Sequence, residues 1–93
     1  DLPPFSRLLT MTISNTREAL ARQEAQRMAA RLRATARAWD VGVRIIGPAP
    51  SYPPRLRGAW RWHLTLRGSD PRLLLDKMSL PPAWIVNADP AEV

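Results

Sequence analysis

Residues Gly47 to Gly68 read GPAPSYPPRLRGAWRWHLTLRG and contain the clearest structural pattern of the chain. In the second half of this segment apolar and polar residues alternate strictly, which is typical of a β-strand with one buried and one solvated face. The apolar face consists of Trp60, Trp62, Leu64 and Leu66. We therefore predict a strand that begins near Trp60, with these four side chains in the core.

The first half of this segment is rich in proline and arginine. Pro48, Pro50, Pro53 and Pro54 each fix their own φ and favour an extended residue before them, so we predict a stiff loop here. This loop carries Arg55 and Arg57, and the polar side of the following strand carries Arg61. The three arginines can converge on one phosphate backbone. Tyr52 in the same loop either stacks on a nucleic-acid base or packs within the loop, and the sequence leaves both readings open.

Two strands and a long helix are predicted ahead of this segment. Alternation from Arg7 to Ser14 predicts a first strand. Asn15 is a candidate helix cap with Glu18 as its capping-box partner. The helix that follows carries an apolar stripe at three- and four-residue spacing, formed by Ala21, Ala25, Met28, Leu32, Ala36 and Trp39. The β-branched run from Val41 to Ile46 predicts the second strand.

Behind the segment, a short helix and a final strand complete the pattern. Ser69 or Asp70 is a candidate cap, Pro71 suits the first helical position, and Trp84 to Val86 predict an edge strand. The apolar side of this second helix is supplied by Leu73, Leu74, Leu75 and Met78. The resulting βαββαβ order predicts an α+β, split βαβ (ferredoxin-like) fold, with a four-stranded antiparallel sheet and two helices on one face.

Length and charge limit the possible functions. A chain of 93 residues predicts a single domain spanning 1–93, and its start without Met suggests a segment excised from a larger protein. With 14 Lys and Arg against 8 Asp and Glu, the net charge of +6 favours polyanions, acidic protein tails or anionic membrane surfaces as partners, or reflects only a coding preference for arginine. The sequence contains no spanning or signal-like segment, so we expect a cytoplasmic protein without membrane contact.

Catalytic chemistry finds little support in this sequence. It contains no cysteine, no phosphate-binding glycine loop and a single histidine, His63, which reads as a polar strand residue. We therefore expect this segment not to be an enzyme, with no catalytic residues, no metal site and no cofactor.

The motifs GPAP, RLRG and WRWHLTLR resemble the C-terminal domain of bacterial primosomal protein N′ (PriA, the replication-restart protein). The opening LPPF is similar to the segment that enters that domain, and WIVNADP, from Trp84 to Pro90, is similar to its closing strand. Asn87 and Ala88 depart from the acidic and β-branched residues expected there.

The resemblance implies a fold similar to a small-subunit ribosomal protein and a role in DNA replication restart. It implies a DNA-binding and protein-docking accessory domain that recognises branched or forked DNA through backbone contacts, here through Arg55, Arg57, Arg61 and Tyr52. Further implied partners are the C-terminal tail of single-stranded DNA-binding protein and the helicase domains of the same chain. The tail-binding basic residue corresponds to Arg72, whereas its polar companion one turn later corresponds to the acidic Asp76. The family is usually an ATP-dependent DNA helicase, whose core is absent from this segment.

Two alternatives remain open at the level of sequence. One is an RNA-binding split βαβ module of the ribosomal or tRNA-binding type, and the other is a purely structural interdomain packing domain. Competition between forked DNA and structured RNA separates the first from DNA binding, and absence of nucleic-acid binding indicates the second.

Overall fold

The computed structural model describes residues 6–88, which form one antiparallel sheet and two helices. The elements are β1 (Arg7–Asn15), α1 (Glu18–Ala38), β2 (Val43–Leu56), β3 (Ala59–Gly68), α2 (Arg72–Leu75) and β4 (Ile85–Ala88). The strand order is β2-β3-β1-β4, which confirms the predicted α+β split βαβ fold. The opening LPPF and the final Asp-Pro lie outside the described residues.

The core lies between α1 and one face of the two central strands. In the β1–β3 pairing Leu9 stands opposite Leu66 and Met11 opposite Leu64, and all four side chains are almost fully buried. The predicted helix stripe meets them with Ala21, Ala25, Met28, Leu32 and Ala36. Because alanine is small, α1 can approach the sheet closely, so these residues are buried as predicted.

The proline-rich segment is part of a strand, and the prediction of a loop there was wrong. β2 continues to Leu56 and pairs with β3, although its register shifts between Ile46 and Ala49 and again between Pro50 and Arg55. Proline is tolerated because β2 is an edge strand, where a missing N–H on the unpaired side breaks no ladder hydrogen bond. The prolines also hinder pairing of β2 with a further strand.

The connection from β2 to β3 is a two-residue turn made by Arg57 and Gly58. Their φ values are 54° and 81°, so both central residues adopt the positive φ that a type I′ hairpin turn requires. The predicted long connection is therefore a tight hairpin with bulges in its first strand.

Gly47 forms the first of these bulges and fits only as glycine. Its φ is 106°, and a Cβ built there lies 3.1 Å from the carbonyl oxygen of His63 and 3.3 Å from the backbone nitrogen of Ala49. Arg33 on α1 donates to the carbonyl oxygens of Ile45 at 3.1 Å and of Gly47 at 3.2 Å. These bonds fix the bulged strand to the helical layer.

The start of α1 differs from the predicted capping box. Asn15 is still paired in β1, opposite Trp60, and its Oδ1 accepts from the backbone nitrogen of Arg17 at 2.9 Å. Arg17 is the N-cap and makes no side-chain capping bond, and Glu18 is the first helical residue. The predicted box was wrong because the strand extends closer to the helix than the pattern indicated.

Two tryptophans predicted in the core lie outside it. Trp39 is 58% exposed, because α1 ends at Ala38 and the chain turns away from the stripe, and the Lys77 Nζ stands 4.6 Å from the centre of its ring. Trp60 is half-buried near the hairpin turn and does not join the core cluster. Trp62 is also half-buried but packs against that cluster.

The segment after β3 is fixed to α1 by Trp84. The predicted cap of α2 at Ser69 or Asp70 was wrong, because the N-cap is Pro71 and no side chain caps the helix. Leu74 is buried as predicted, whereas Leu73 is 48% exposed. The indole Nε1 of Trp84, which is buried just before β4, donates to Glu24 Oε2 at 3.1 Å. β4 then pairs with β1 as the predicted edge strand. Neither helix between residues 6 and 88 combines the length and the apolarity needed to cross a bilayer.

Glu24 also forms an ion pair with Arg27, and both contacts affect its ionisation. Burial raises the pKa of Glu24, but hydrogen bonds from Arg27 and Trp84 and the charges of Arg27 and Arg31 outweigh it. The pKa is therefore held below its ordinary value of 4.5.

Candidate nucleic-acid interface

Charge is divided unequally between the sheet and the helical layer. No strand between residues 6 and 88 contains Asp or Glu, whereas these strands carry five arginines, namely Arg7, Arg44, Arg55, Arg61 and Arg67. The acidic residues of the described chain all lie in the helices or connections, and they are Glu18, Glu24, Asp40, Asp70 and Asp76. The sheet therefore presents only positive charge to a polyanion.

The distal end of the β2–β3 hairpin holds the residues predicted to bind nucleic acid. Tyr52 lies in the second bulge and is 94% exposed. Arg57 occupies the turn and is exposed. The guanidinium of Arg55 stands 5.2 Å from the ring centre of Trp60, the residue it faces across the strand pair. This cation–π contact gives Arg55 a defined position.

Arg61 is held from the opposite side of the same hairpin. Its Nε and Nη2 both donate to the carbonyl oxygen of Pro53, at 3.3 and 3.0 Å, which leaves other guanidinium N–H groups available. Since Arg61 directly follows Trp60 in β3, its side chain points away from the face shared by Trp60 and Arg55. The structure thus brings the predicted arginines to one hairpin end but not onto one face.

No carboxylate in the described part of the chain neutralises these arginines. Within residues 6–88 the one ion pair joins Glu24 to Arg27, on α1. The same residues contain no cluster of three or more His, Asp or Glu side chains suited to a metal ion.

The face of the sheet opposite α1 carries further basic and hydroxyl side chains. Arg44 alternates with the buried Ile45, and Arg67 alternates with the buried Leu66, so both point away from the core. Ser51 and His63 make a side-chain hydrogen bond of 3.2 Å on the same two strands. The sequence analysis assigned Arg61 on this face to DNA binding but did not assign Arg44 and Arg67, although the polar phase of each alternating strand was the signal that could have located them.

Arg72 begins α2 and is exposed between two cavities. One cavity of about 350 Å³ is lined by Leu9, Arg72, Leu75, Asp76, Val86 and Ala88. A second, of about 210 Å³, is lined by Arg7, Leu8, Leu9, Asp70, Pro71, Arg72 and Ala88. Each combines apolar walls with Arg72 and one carboxylate.

Comparison with known protein families gives one match. The family described as primosomal protein N C-terminal domain matches residues 1–79. The chain belongs to this family. The match covers β1 through α2 and confirms the resemblance carried by GPAP, RLRG and the aromatic strand, whereas β4 lies beyond it. No curated protein matches the chain.

Membership of the primosomal protein N C-terminal domain family implies a role in the replication-restart primosome. The matched unit is the accessory C-terminal domain of that family.

Proposed function

We propose that this domain is a DNA-binding and protein-docking accessory domain of a replication-restart primosome protein, and that it contacts the backbone of branched or forked DNA. The observation that carries the proposal is the hairpin end, where Arg55, Arg57 and Arg61 lie without a neighbouring carboxylate among residues 6–88. Arginine is the residue best suited to phosphate, because its planar guanidinium donates several hydrogen bonds at once.

Contacts of this kind position a domain on DNA without reading its sequence. Two of the arginines are held in place before binding, Arg55 by Trp60 and Arg61 by the Pro53 carbonyl, which lowers the entropic cost of binding. Because these two lie on opposite faces of the hairpin, the hairpin end can contact two backbone strands that diverge at a branch. The exposed Tyr52 ring is available to stack on an unpaired base beside them.

Replacing Arg55, Arg57 and Arg61 together with alanine tests the proposal. We expect weaker binding to forked DNA, and a slope of log affinity against log salt that flattens by up to about 0.9 for each duplex phosphate that the variant no longer neutralises. Fluorescence anisotropy with a labelled fork at several salt concentrations measures both quantities.

The matched control replaces Arg22, Arg37 and Lys77, which are exposed and lie in α1 or just after α2, outside the hairpin and the sheet. This control removes the same charge as the hairpin variant. Its slope of log affinity against log salt should differ less from that of the unmodified chain than the slope of the hairpin variant does. An unchanged slope in the hairpin variant rejects this site. Structured RNA that competes with forked DNA at equal charge supports the RNA-binding alternative, and no measurable DNA binding supports the interdomain packing alternative.

For protein docking we propose that Arg72 receives the acidic, hydrophobic tail of single-stranded DNA-binding protein. Support comes from its exposure at the start of α2 beside the cavity of about 350 Å³, which offers apolar walls from Leu9, Leu75 and Val86. A carboxylate can pair with Arg72 while an apolar side chain enters the cavity. Asp76 in the same wall opposes an acidic ligand and limits its affinity.

Titration with a synthetic peptide of that tail tests this docking site. We expect Arg72→Ala to weaken binding about tenfold, the equivalent of one charged hydrogen-bonded contact, and Asp76→Asn to strengthen it. Arg37→Ala, at the last turn of α1, is the control for removal of one charge. Equal affinities of the Arg72 and Arg37 variants would exclude Arg72 as the contact.

A further inference from the structure

The face of the sheet that α1 does not cover is mostly polar along its two central strands, and it is flanked by the exposed Ile46 of β2 and Ile85 of β4. Leu9, Met11 and Ile13 of β1 are buried beneath α1, so the alternate residues of that strand point to the other side. The same alternation applies to β3, where Leu64 and Leu66 are buried. We call this surface the open face, and its two central strands contribute Leu8, Thr10, Thr12, Ser14, Arg61, His63, Thr65 and Arg67.

The strand register sets these side chains in rows across the sheet. Thr10 stands opposite Thr65, and Thr12 stands opposite His63. At one end of the face Arg67 pairs directly with Arg44 of β2. At the other end, Arg61 pairs with Ser14. Hydroxyl groups therefore fill the centre of the face, and guanidinium groups occupy both ends.

Arg44 and Arg67 are adjacent cations without a compensating acid. Directly opposed like charges in an antiparallel pair are destabilising, so this pair weakens the isolated fold. No Asp or Glu occurs in any of the four described strands. Among residues 6–88, Arg44 and Arg67 make no ion pair and no side-chain hydrogen bond. The arrangement is complementary to a ligand that brings closely spaced negative charges.

Among residues 6–88, the open face offers no aromatic platform for bases. Trp60 and Trp62 are in phase with the buried residues of β3, Trp39 follows α1, and Trp84 is buried. Tyr52 lies in the bulge of the edge strand, outside the central rows. Proteins that bind unpaired strands rely on stacked aromatic side chains, so this surface does not suit single-stranded DNA.

We propose that the open face binds the sugar-phosphate backbone of a double-stranded DNA arm, with Arg44 and Arg67 as binding residues at one end and Arg61 at the other. This inference rests on the proposed DNA-binding function and adds a second surface to the hairpin end. The strand from Arg61 to Arg67 is about 20 Å long, at about 3.3 Å per residue. That length corresponds to about six base-pair steps of a duplex, at about 3.4 Å per step along the helix axis.

The test compares two double variants of equal charge. Arg44→Gln with Arg67→Gln alters the open face, and Arg22→Gln with Arg37→Gln alters the exposed side of α1. Binding of each to a labelled duplex of about 20 base pairs is measured by fluorescence anisotropy between about 50 and 200 mM salt. We expect the open-face variant to bind about tenfold more weakly and to show a flatter salt slope, while the α1 variant changes little.

A second measurement keeps the test independent of folding defects. Titrating duplex into the unmodified, isotope-labelled chain should shift the amide signals of Thr10, His63 and Thr65 more than those of α1. Equally weakened binding by the two double variants, or shifts confined to α1, overturns the inference while leaving DNA binding intact. Tighter binding to a single strand of the same length than to the duplex also overturns it. A chain that binds neither DNA refutes the inference together with the proposed function.

Discussion

Replacing Trp84 with alanine is expected to lower the free energy of unfolding by about 3–5 kcal/mol, the range for deleting a large buried aromatic side chain. Trp84 is 6% exposed, packs in the core and donates to Glu24 Oε2. It is also the last core residue before β4, which has only β1 as a partner strand. Since small domains are stable by about 5–15 kcal/mol, this decrease is a large share of the total.

Thermal and urea unfolding measure this effect. Each kcal/mol shifts Tm by about 4–8 °C in a domain of this size, so the alanine variant should melt far below the unmodified chain. Trp84→Phe keeps most of the packing and removes the indole N–H, so we expect it to reduce stability less than half as much. A Tm within about 5 °C of the unmodified chain for Trp84→Ala would contradict the role of this side chain as an anchor.

The phenylalanine variant also changes the response to acid. The pKa of Glu24 is depressed in the folded chain, so its ionised form adds stability above its ordinary value of 4.5, and that stability disappears as the pH falls through the folded pKa. Trp84→Phe removes one hydrogen bond that lowers this pKa, so the decrease in stability on acidification should be smaller. Glu24→Gln, which cannot ionise at this position, is the control for the same comparison at neutral and at low pH.

The regular elements could be predicted because their hydrophobic period matches their geometry. The alternation of Leu9, Met11 and Ile13, and of Leu64 and Leu66, agrees with the buried face of the sheet. The stripe of α1 could be read for the same reason up to Ala36. The prediction failed for Trp39. Because α1 ends at Ala38, the Trp39 side chain does not continue the apolar stripe.

The course of β2 could not be read from its own residues. Proline opposes an interior strand but not an edge strand, and the edge position is a property of the whole sheet. The tight turn at Arg57 and Gly58 carried a local signal, since glycine adopts positive φ readily. The residue before Gly58 is Arg57, whereas this type of turn usually has Asn or Asp there, so the sequence did not indicate a tight turn.

The candidate site was predictable in place but not in orientation. Arg55, Arg57 and Arg61 are close in sequence, so any short connection between β2 and β3 brings them to one end. Which face each side chain takes depends on the register, and the bulge between Pro50 and Arg55 resets that register. Arg55 is consequently paired with Trp60, while Arg61 points to the open face.

Replacing Gly68 with alanine is expected to lower the free energy of unfolding by about 1–3 kcal/mol, as overpacking in a closed site does. Gly68 ends β3 and is paired on both sides, with Arg7 and with Val43. A Cβ built there lies 2.6 Å from the carbonyl oxygen of Gly42 and 3.3 Å from Val43 Cγ2. The nearest atom belongs to the backbone, so the new methyl group displaces the chain that leads into β2.

Gly42→Ala is the matched control, since it adds the same methyl group on the other side of this contact. A Cβ at Gly42 meets no atom within 4 Å, and its φ is not positive. Alanine there restricts the unfolded chain more than the folded one, so we expect unchanged stability or an increase of about 0.4–1 kcal/mol. Urea unfolding gives both values, with an unchanged m-value as the sign that the unfolded state is comparable. Equal stabilities of the two alanine variants would contradict this prediction. They would show that the backbone near Gly42 can move away from a Cβ at Gly68 without loss of stability.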